Sequence, residues 1–507
     1  MQRRRCFYCL VAAGLLLLGA QAAQGEEGLL DSFEKRVSEF SLDNGMTFLV
    51  VNQPEVPAVS FVTMVKVGSV DEPSGKTGLA HLFEHMVFKG TKEIGTTDWA
   101  REKELLERME ALQQEISRLE RSSEAGQDEL EKLTAQFEEL QGRAKRLIKP
   151  NEFSKIIERN GGSDLNAGTS TDYTMYQCRF PANRAELWFS LESDRLRNPV
   201  WREFYTEREV VLEERRLRVE SNPSGRLLER LVAMSYLAHP YRRPVIGWGS
   251  DIQSLTRKDL QTFYERYYVP NNMVVVIVGD VRVEQVKEWA RTYFGTLTPN
   301  SALHRRVTDE PQQRGRRELT IEEDNPPIYV RAFHTVAFNH PDTPALELLG
   351  DVLATGRTSL LHTRLVLEKR LAARVFALNG YPGQRYPALF IIYAVPNQDA
   401  SMTALAESLA AELSKVRAGE ISQEALRRAQ TKVRADLIRS LDSDLGLARS
   451  LAKAEILQGD WRRHFTYLKE IEAVTIEDLQ RVARTYLQEE LSTVGQLISK
   501  PDSKKTQ

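Results

Sequence analysis

The stretch "GLAHLFEHMVFKGT", residues 78–91, carries two of the chain's eight histidines, His81 and His85, with Glu84 directly before the second. Its apolar periodicity is helical. On a helix, positions four apart lie about 40° from one another around the axis, so both imidazoles face one side. Two imidazoles converging on one point are natural zinc ligands, at about 2.0–2.1 Å each. Glu84 lies close enough to that face to reach a water there and act as its base. The order His-x-x-Glu-His reverses the His-Glu-x-x-His of many zinc peptidases yet keeps the same parts. A chance occurrence in a chain with this few histidines is roughly a one-per-cent event. The bland reading is a histidine pair without metal. The apolar flanks "GLA" and "MVF" speak for a buried site, where two unpaired imidazoles would be costly.

A catalytic zinc needs a third protein ligand and an open position. The acidic helix "YTEREVVLEERRLRVE" offers Glu207 and Glu214, seven apart and nearly eclipsed, with Val210 and Val211 expected on the same side. Glu209 and Glu213 fall elsewhere on the wheel. One of the eclipsed pair can bind the metal while the other orients a ligand from behind. Acidic helices usually just face water, so spacing alone leaves the choice open.

The wider chain supplies the setting. At 507 residues it exceeds one ordinary core, so two or three domains are expected. An apolar content of 41% with 28% charge is that of a globular protein. A net charge of -2 shows no basic surplus, which argues against nucleic acid as the main partner. Residues 1–25 have a basic start (Arg3, Arg4, Arg5), an apolar run and small residues before "EEG". This is the layout of a secretory signal peptide, cleaved after Ala22 or Gly25. The run is short for a membrane span, so no transmembrane segment is expected after cleavage. Cys6 and Cys9 leave with it, and Cys178 in "TMYQCRF" remains as a packed side chain rather than a nucleophile. An exported chain without a disulfide framework fits a bacterial periplasm.

Hydropathy patterning divides the remaining sequence. "SLDNGMTFLVVNQ" reads as strand, turn and strand around Asn44-Gly45, and "AVSFVTMVKVGS" as a further strand. Residues 101–149, between Trp99 and Pro150, are heptad-patterned: Leu105, Met109, Leu112, Ile116 and Leu119, then Leu130, Leu133, Phe137, Leu140, Ala144 and Leu147. Two such helices form an antiparallel coiled-coil hairpin, inserted into the first domain. "NRAELWFSLESDRLRNPVWREFYTEREVVLEERRLRVESNP" reads as one long helical stretch. A polar region, 296–317, is a linker. Beyond it the pattern recurs: strand-like "PIYVRAFHTVAF", helical "TPALELLGDVLATG", and two helical stretches from Met402 to Leu457. The expected fold is α+β: two homologous domains, 30–295 and 318–499, each a largely antiparallel sheet flanked by helices. Residues 500–507 read as a disordered tail.

Four motifs in order, "HLFEHMVFKGT", "NGGSDLNAGTS", "EREVVLEE" and "AHPYRRPVIG", resemble the M16 (pitrilysin/insulysin) family of inverted-motif zinc metallopeptidases, in its half-length bacterial subunit form. The resemblance implies one zinc per chain, bound by His81 and His85, with Glu84 activating the water. The family's third ligand is the last glutamate of Glu-Arg-x5-Glu. Glu207-Arg208 followed by Glu214 matches it, which implies Glu214 as ligand and Glu207 as its support. The resemblance also implies that "GGSDLNAGTS" is an edge strand pairing with substrate backbone through Asn166, Ala167 and Gly168, although Gly168 stands where an aromatic is common.

The second half departs from the pattern. Complete enzymes of the family carry there an arginine and a tyrosine, seven apart, that contact substrate. Aligned on "LVLEKRLAARVFA", those positions hold Val366 and Ala373, and a shift by one residue would bring in Arg374. Neither Val366 nor Ala373 can donate to a carbonyl or oxyanion. The implied protein is an exported zinc endopeptidase acting on peptides or unfolded segments. A homologous partner subunit, or a second copy, would supply the missing pair. The alternative is a non-catalytic assembly protein that keeps the fold. His239, His334, His340, His362 and His464 match no ligand pattern and read as structural.

Overall fold

An unbroken apolar strand must be covered on both faces, and Met273–Gly279, MVVVIVG, is one: all of its residues are buried. The computed structural model describes residues 33–120, 127–303, 305 and 307–499. The expected signal peptide (1–25) and tail (500–507) lie outside them. No helix among the described residues is long and apolar enough to cross a membrane.

The first half contains β1 (Val37–Ser41), β2 (Thr47–Asn52), β3 (Ala58–Val65), β4 (Ser163–Thr169), β5 (Thr174–Pro181) and β6, the apolar strand. They form one sheet in the order β1-β2-β6-β3-β5-β4. The second half contains β7 (Arg317–Glu323), β8 (Ile328–His334), β9 (Ala372–Tyr381), β10 (Leu389–Pro396) and β11 (Ser492–Ser499), ordered β7-β11-β8-β10-β9. Without β1 the two orders correspond strand for strand. Each has a single parallel pair at the same place, β2 with β6 and β7 with β11. The helix leading to β6 opens on a Thr256/Asp259 capping box, and the helix leading to β11 on Thr475/Asp478. The chain is one α+β unit used twice.

The halves exchange helices. In chain order, the helices that build and support the cleft are α1 (Leu79–Met86), α2 (Trp99–Glu120), α3 (Gln127–Lys145), α4 (Phe204–Arg215), α5 (Pro223–Ser235), α6 (Thr343–Ala354) and α7 (Asp444–Gln458). Helix α5 of the first half lays Leu227 and Leu231 on Ile328, Val330 and Leu497 of the second sheet. Helix α7 of the second half lays Leu447, Leu451 and Ile456 on Val62, Met64, Val274 and Val276 of the first. Gly495 permits the first contact, since a Cβ there would lie 2.9 Å from Leu231. Val275 and Ile277 face the opposite core, among Phe48, Phe61 and Phe294. The two faces of β6 thus belong to two different cores.

Two expectations fail in detail. The long helical stretch is broken into Ala185–Arg197 and α4. Pro199 drives the residue before it out of helical geometry, and Thr91 pairs there as an isolated bridge. The region from Met402 holds three helices rather than two, Met402–Ala418, Gln423–Leu441 and α7. Gly419, at φ 106°, ends the first, and Ser443 caps the third.

Helices α2 and α3 pack on each other through Leu105, Met109 and Ile116 and through Phe137, Leu140 and Ala144. At their base Glu102 and Arg202 are both fully buried, Oε1 to Nε 2.8 Å. The same guanidinium donates to the carbonyl oxygens of Lys89, Thr91 and Ile94, at 2.7, 2.6 and 2.9 Å. Arg202 therefore joins the loop after α1 to the root of α2. Glu102→Ala leaves that charge buried and unpaired, so it should cost about 3–5 kcal/mol in urea unfolding. Glu102→Gln, which keeps an acceptor, should cost less.

Candidate metal centre

Helix α1 starts at Gly78, whose φ of 86° turns the chain sharply into it. Its first N–H groups have no partner inside the helix. Buried Glu72 supplies one: its carboxylate accepts from Gly78 N at 3.0 Å and Ala80 N at 2.8 Å. Burial pushes the Glu72 carboxyl up to about 8, against the opposing effect of those two bonds. With its start fixed, α1 turns Leu79, Leu82, Phe83 and Met86 into the first core. The opposite side presents His81, Glu84 and His85 towards α4.

His81 is 7% exposed, and its ring centroid lies 4.8 Å from that of His85. Glu214 Oε2 stands 3.7 Å from His81 Nε2 and 3.4 Å from His85 Nε2. Ligand atoms of the three residues all lie within 4.8 Å of one another, the one such group among the described residues. In a tetrahedral zinc site with bonds of about 2.0–2.1 Å, ligand atoms sit about 3.3–3.4 Å apart. The two histidine-to-glutamate distances, 3.7 and 3.4 Å, are close to that spacing, and two imidazoles with a carboxylate are a donor set that suits zinc. Burial, then the nearby His85 and Arg218, push the His81 imidazole down to about 3, which keeps its lone pair free.

Further side chains brace the three. Glu207 Oε2 lies 3.4 Å from His85 Nδ1, and its other oxygen accepts from Lys89. The bond to Glu207 raises the His85 pKa, opposed by burial. Burial also pushes Glu207 up, but the bonds from His85 and Lys89 outweigh it and hold the carboxyl below its ordinary range. Arg218 Nη2 lies 2.7 Å from Glu214 Oε1. The Thr169 hydroxyl donates to Glu84 Oε2 at 2.6 Å. Sequence reasoning does not single out Lys89, Thr169 or Arg218. Arg218 follows Glu214 by four, a spacing that could have found it. Thr169 meets Glu84 across 85 residues, with no local signal.

Asn166, Ala167 and Gly168 lie on β4, at the end of the first sheet. There they pair with Gln177, Tyr176 and Met175 of β5. The far edge of β4 is open, and β4 lies against α1. A side chain at Gly168 would meet nothing within 4 Å. Val366 sits in the π-helix His362–Glu368, half-buried against the second core, and Ala373 is exposed on β9. Of the two valines expected on the side of the glutamates, Val211 is buried beneath α4 and Val210 is 45% exposed. The stripe of α4 bearing both glutamates straddles the border between core and open cleft, so only one of the two valines reaches the core. Cys178 is buried on β5, where desolvation raises its thiol well above the ordinary range. His239 Nδ1 accepts from Tyr241 N at 3.1 Å, and His334 Nε2 lies 2.8 Å from Ser235 O.

Known families match both halves of the chain. The family described as "Insulinase (Peptidase family M16)" matches residues 47–111 and 140–248, and "Peptidase M16 inactive domain" matches 254–433. The unmatched residues 112–139 fall within α2, α3 and the segment between them. "Zinc protease PqqE" of Helicobacter pylori is 31% identical over 91% of this chain and 93% of its own. A probable mitochondrial-processing peptidase subunit beta of Arabidopsis thaliana is 23% identical over 94% and 81%. A crystal structure of a protease from Helicobacter pylori superposes with a TM-score of 0.76 at 29% identity, over 92% of this chain and 99% of that one. With both of its halves matched and an inverted His-x-x-Glu-His helix facing a glutamate, the chain belongs to peptidase family M16.

Proposed function

We propose that this chain is a zinc-dependent endopeptidase that hydrolyses peptides or unfolded segments. The observation that carries the reading is the convergence of His81, His85 and Glu214 beside a hydrogen-bonded Glu84, next to the open edge of β4. Zinc held there would polarise the scissile carbonyl and make water a stronger acid. Glu84 takes the proton of the attacking water and later passes it to the leaving amine. Thr169 occupies Glu84 Oε2, which leaves Oε1 for the proton. Glu207 holds the Nδ1 side of His85, so that Nε2 faces Glu214 as a lone-pair donor. Beside them, β4 pairs with an extended substrate backbone through residues 166–168. A folded protein cannot present such a strand, which supports unstructured substrates.

Val366 and Ala373 support a requirement for a homologous partner, or a second copy, to contribute a substrate-contacting arginine and tyrosine. The N-terminal segment supports export to the periplasm. The heptad pattern supports a coiled-coil role for α2 and α3 in contacts beyond the site.

Purified mature chain assayed on a quenched-fluorescent library of unstructured peptides, alone and with a homologous chain added, should show turnover in the pair that a chelator abolishes, with one zinc bound by this chain. Glu84→Gln should retain the zinc and lose about 10²–10⁴-fold in turnover. Chelator-insensitive turnover would sink the reading. One zinc without turnover, persisting when a homologous chain is added, would favour the assembly-protein alternative. Activity alone equal to that of the assembled pair would remove the need for a partner.

Metal affinity gives a second test. Glu214→Ala should lose zinc outright, while Glu207→Gln should weaken it about 10–100-fold, read by competition with a chromophoric chelator.

A further inference from the structure

The second half contributes no ligand to the candidate metal centre, yet one of its loops grips the turn after β4. That turn, 170–173, is closed by Ser170 N donating to Tyr173 O at 2.9 Å. Asp172, within it, is 2% exposed. Its Oδ1 accepts from the Tyr241 hydroxyl at 2.6 Å. Its Oδ2 accepts from the backbone N–H groups of Gln384 and Arg385, at 2.5 and 3.1 Å, in the loop joining β9 to β10. Tyr386 N closes the ring by donating to Tyr241 Oη at 3.1 Å, and the Thr171 hydroxyl donates to Pro382 O at 2.9 Å. Only glycine fits at 383: a Cβ there would lie 2.6 Å from Tyr241 Oη and 2.7 Å from Asp172 Oδ2. Oδ2 of the Asp172 carboxylate thus holds the β9–β10 loop directly, and Oδ1 holds it through the first half's Tyr241.

The same loop reaches the lead into α1. Arg385 Nη1 lies 3.2 Å from Asp71 Oδ2, and Asp71 adjoins Glu72, whose carboxylate caps α1. Val70 N donates to Thr171 O at 3.0 Å, so the two gripped segments are also joined to each other. On the far side of the 170–173 turn, Thr169 holds Glu84. A continuous run of bonds therefore leads from loop 382–386 through Asp172 to the carboxylate that serves as the base. Both Asp172 carboxylate oxygens are satisfied, and a buried carboxylate so bonded fixes geometry more than it adds stability.

We propose that Asp172 is a positioning residue. Through it the second half sets the place of the β4–β5 turn, and hence of Thr169 and Glu84. This rests on the peptidase reading of the site. It gives the half without ligands a defined task in the reaction, which is to hold the base and the substrate strand in register. Displacing a base by about 1 Å can cost up to about 10²-fold in rate.

The test uses the full mature chain with two substitutions that disturb the grip from opposite sides. Asp172→Asn replaces an acceptor oxygen by an amide N–H, and Gly383→Ala pushes the loop off. Leu447→Ala, in the interface between α7 and the first sheet, serves as a control that loosens the halves elsewhere. Zinc content, hydrogen exchange over residues 163–174, and kcat and KM on one peptide are measured for each. Both grip variants are expected to keep one zinc, to exchange about tenfold faster over 163–174, and to lose about tenfold or more in kcat. Leu447→Ala is expected to lower Tm and leave kcat per zinc unchanged. A rise in KM with kcat intact would assign the loop to substrate binding alone and overturn the placement of Glu84. Unchanged exchange over 163–174 would overturn the proposal outright, and so would an equal loss of kcat in the Leu447 control. Should the wild-type chain show no turnover even with a homologous chain added, the peptidase reading fails on that result. The exchange data then still decide whether the loop holds the turn.

Discussion

Two-sided burial of the first sheet is the constraint on which the remaining architecture depends. Strand β6 has no polar side chain to offer solvent, so each of its faces requires a cover. One cover comes from its own half, the other from α7, which begins only at Asp444. The second sheet reciprocates with α5. Neither half can close its core without the other, so the two behave as one folding unit despite their repeated topology. Apolar burial at roughly 25 cal/mol per Å² makes this exchange the dominant attractive term between them.

This arrangement explains how a cleft with exposed polar chemistry can be rigid. Helix α1 is pinned on its inner side by Phe83 and Met86, at its start by Glu72, and at its end by the loop that Arg202 holds. Helix α4 is pinned by Phe204, Tyr205 and Val211. The sides of both helices that face each other are then free to carry His81, His85, Glu207 and Glu214. The repeat makes the contrast visible. Helix α6 occupies between β8 and β9 the place that α1 occupies between β3 and β4, yet ten of its twelve residues are buried and none is histidine. Where one copy spends a helix face on chemistry, the other spends it on core.

Much of this is legible in the residues because the deciding signals are local. Four-residue spacing brings His81 and His85 together, seven-residue spacing aligns Glu207 with Glu214, and the recurrence of strand and helix patterns announces the doubled unit. Strand alternation cannot announce which helix covers which sheet, since the apolar residues of α5 and α7 carry no sign of where they dock. Nor can spacing find Thr169 or Asp172, whose partners lie 85 and 212 residues away. The break at Pro199 is masked by the strong helix formers that flank it. The exposure of Val210 escapes a helical wheel, which gives direction but not the position of the core boundary.

Charge balance accounts for the stability of so polar a cluster. Glu84, Glu207 and Glu214 bring three carboxylates to one small volume, and mutual repulsion there would ordinarily force one to take up a proton. Two cations answer them: Lys89 on Glu207 and Arg218 on Glu214, each bound to the oxygen turned away from the histidines. Thr169 answers Glu84 with a neutral donor instead. Each glutamate of α4 thereby has one oxygen on a cation and the other directed at the histidines, Glu207 at His85 and Glu214 at both. Glu84 is left with a hydroxyl where the other two have a cation. A hydroxyl orients a carboxylate without pairing its charge, unlike a guanidinium or ammonium. Three chemically identical side chains thus meet unequal partners, and it is this asymmetry, not their chemistry, that sets Glu84 apart from Glu207 and Glu214.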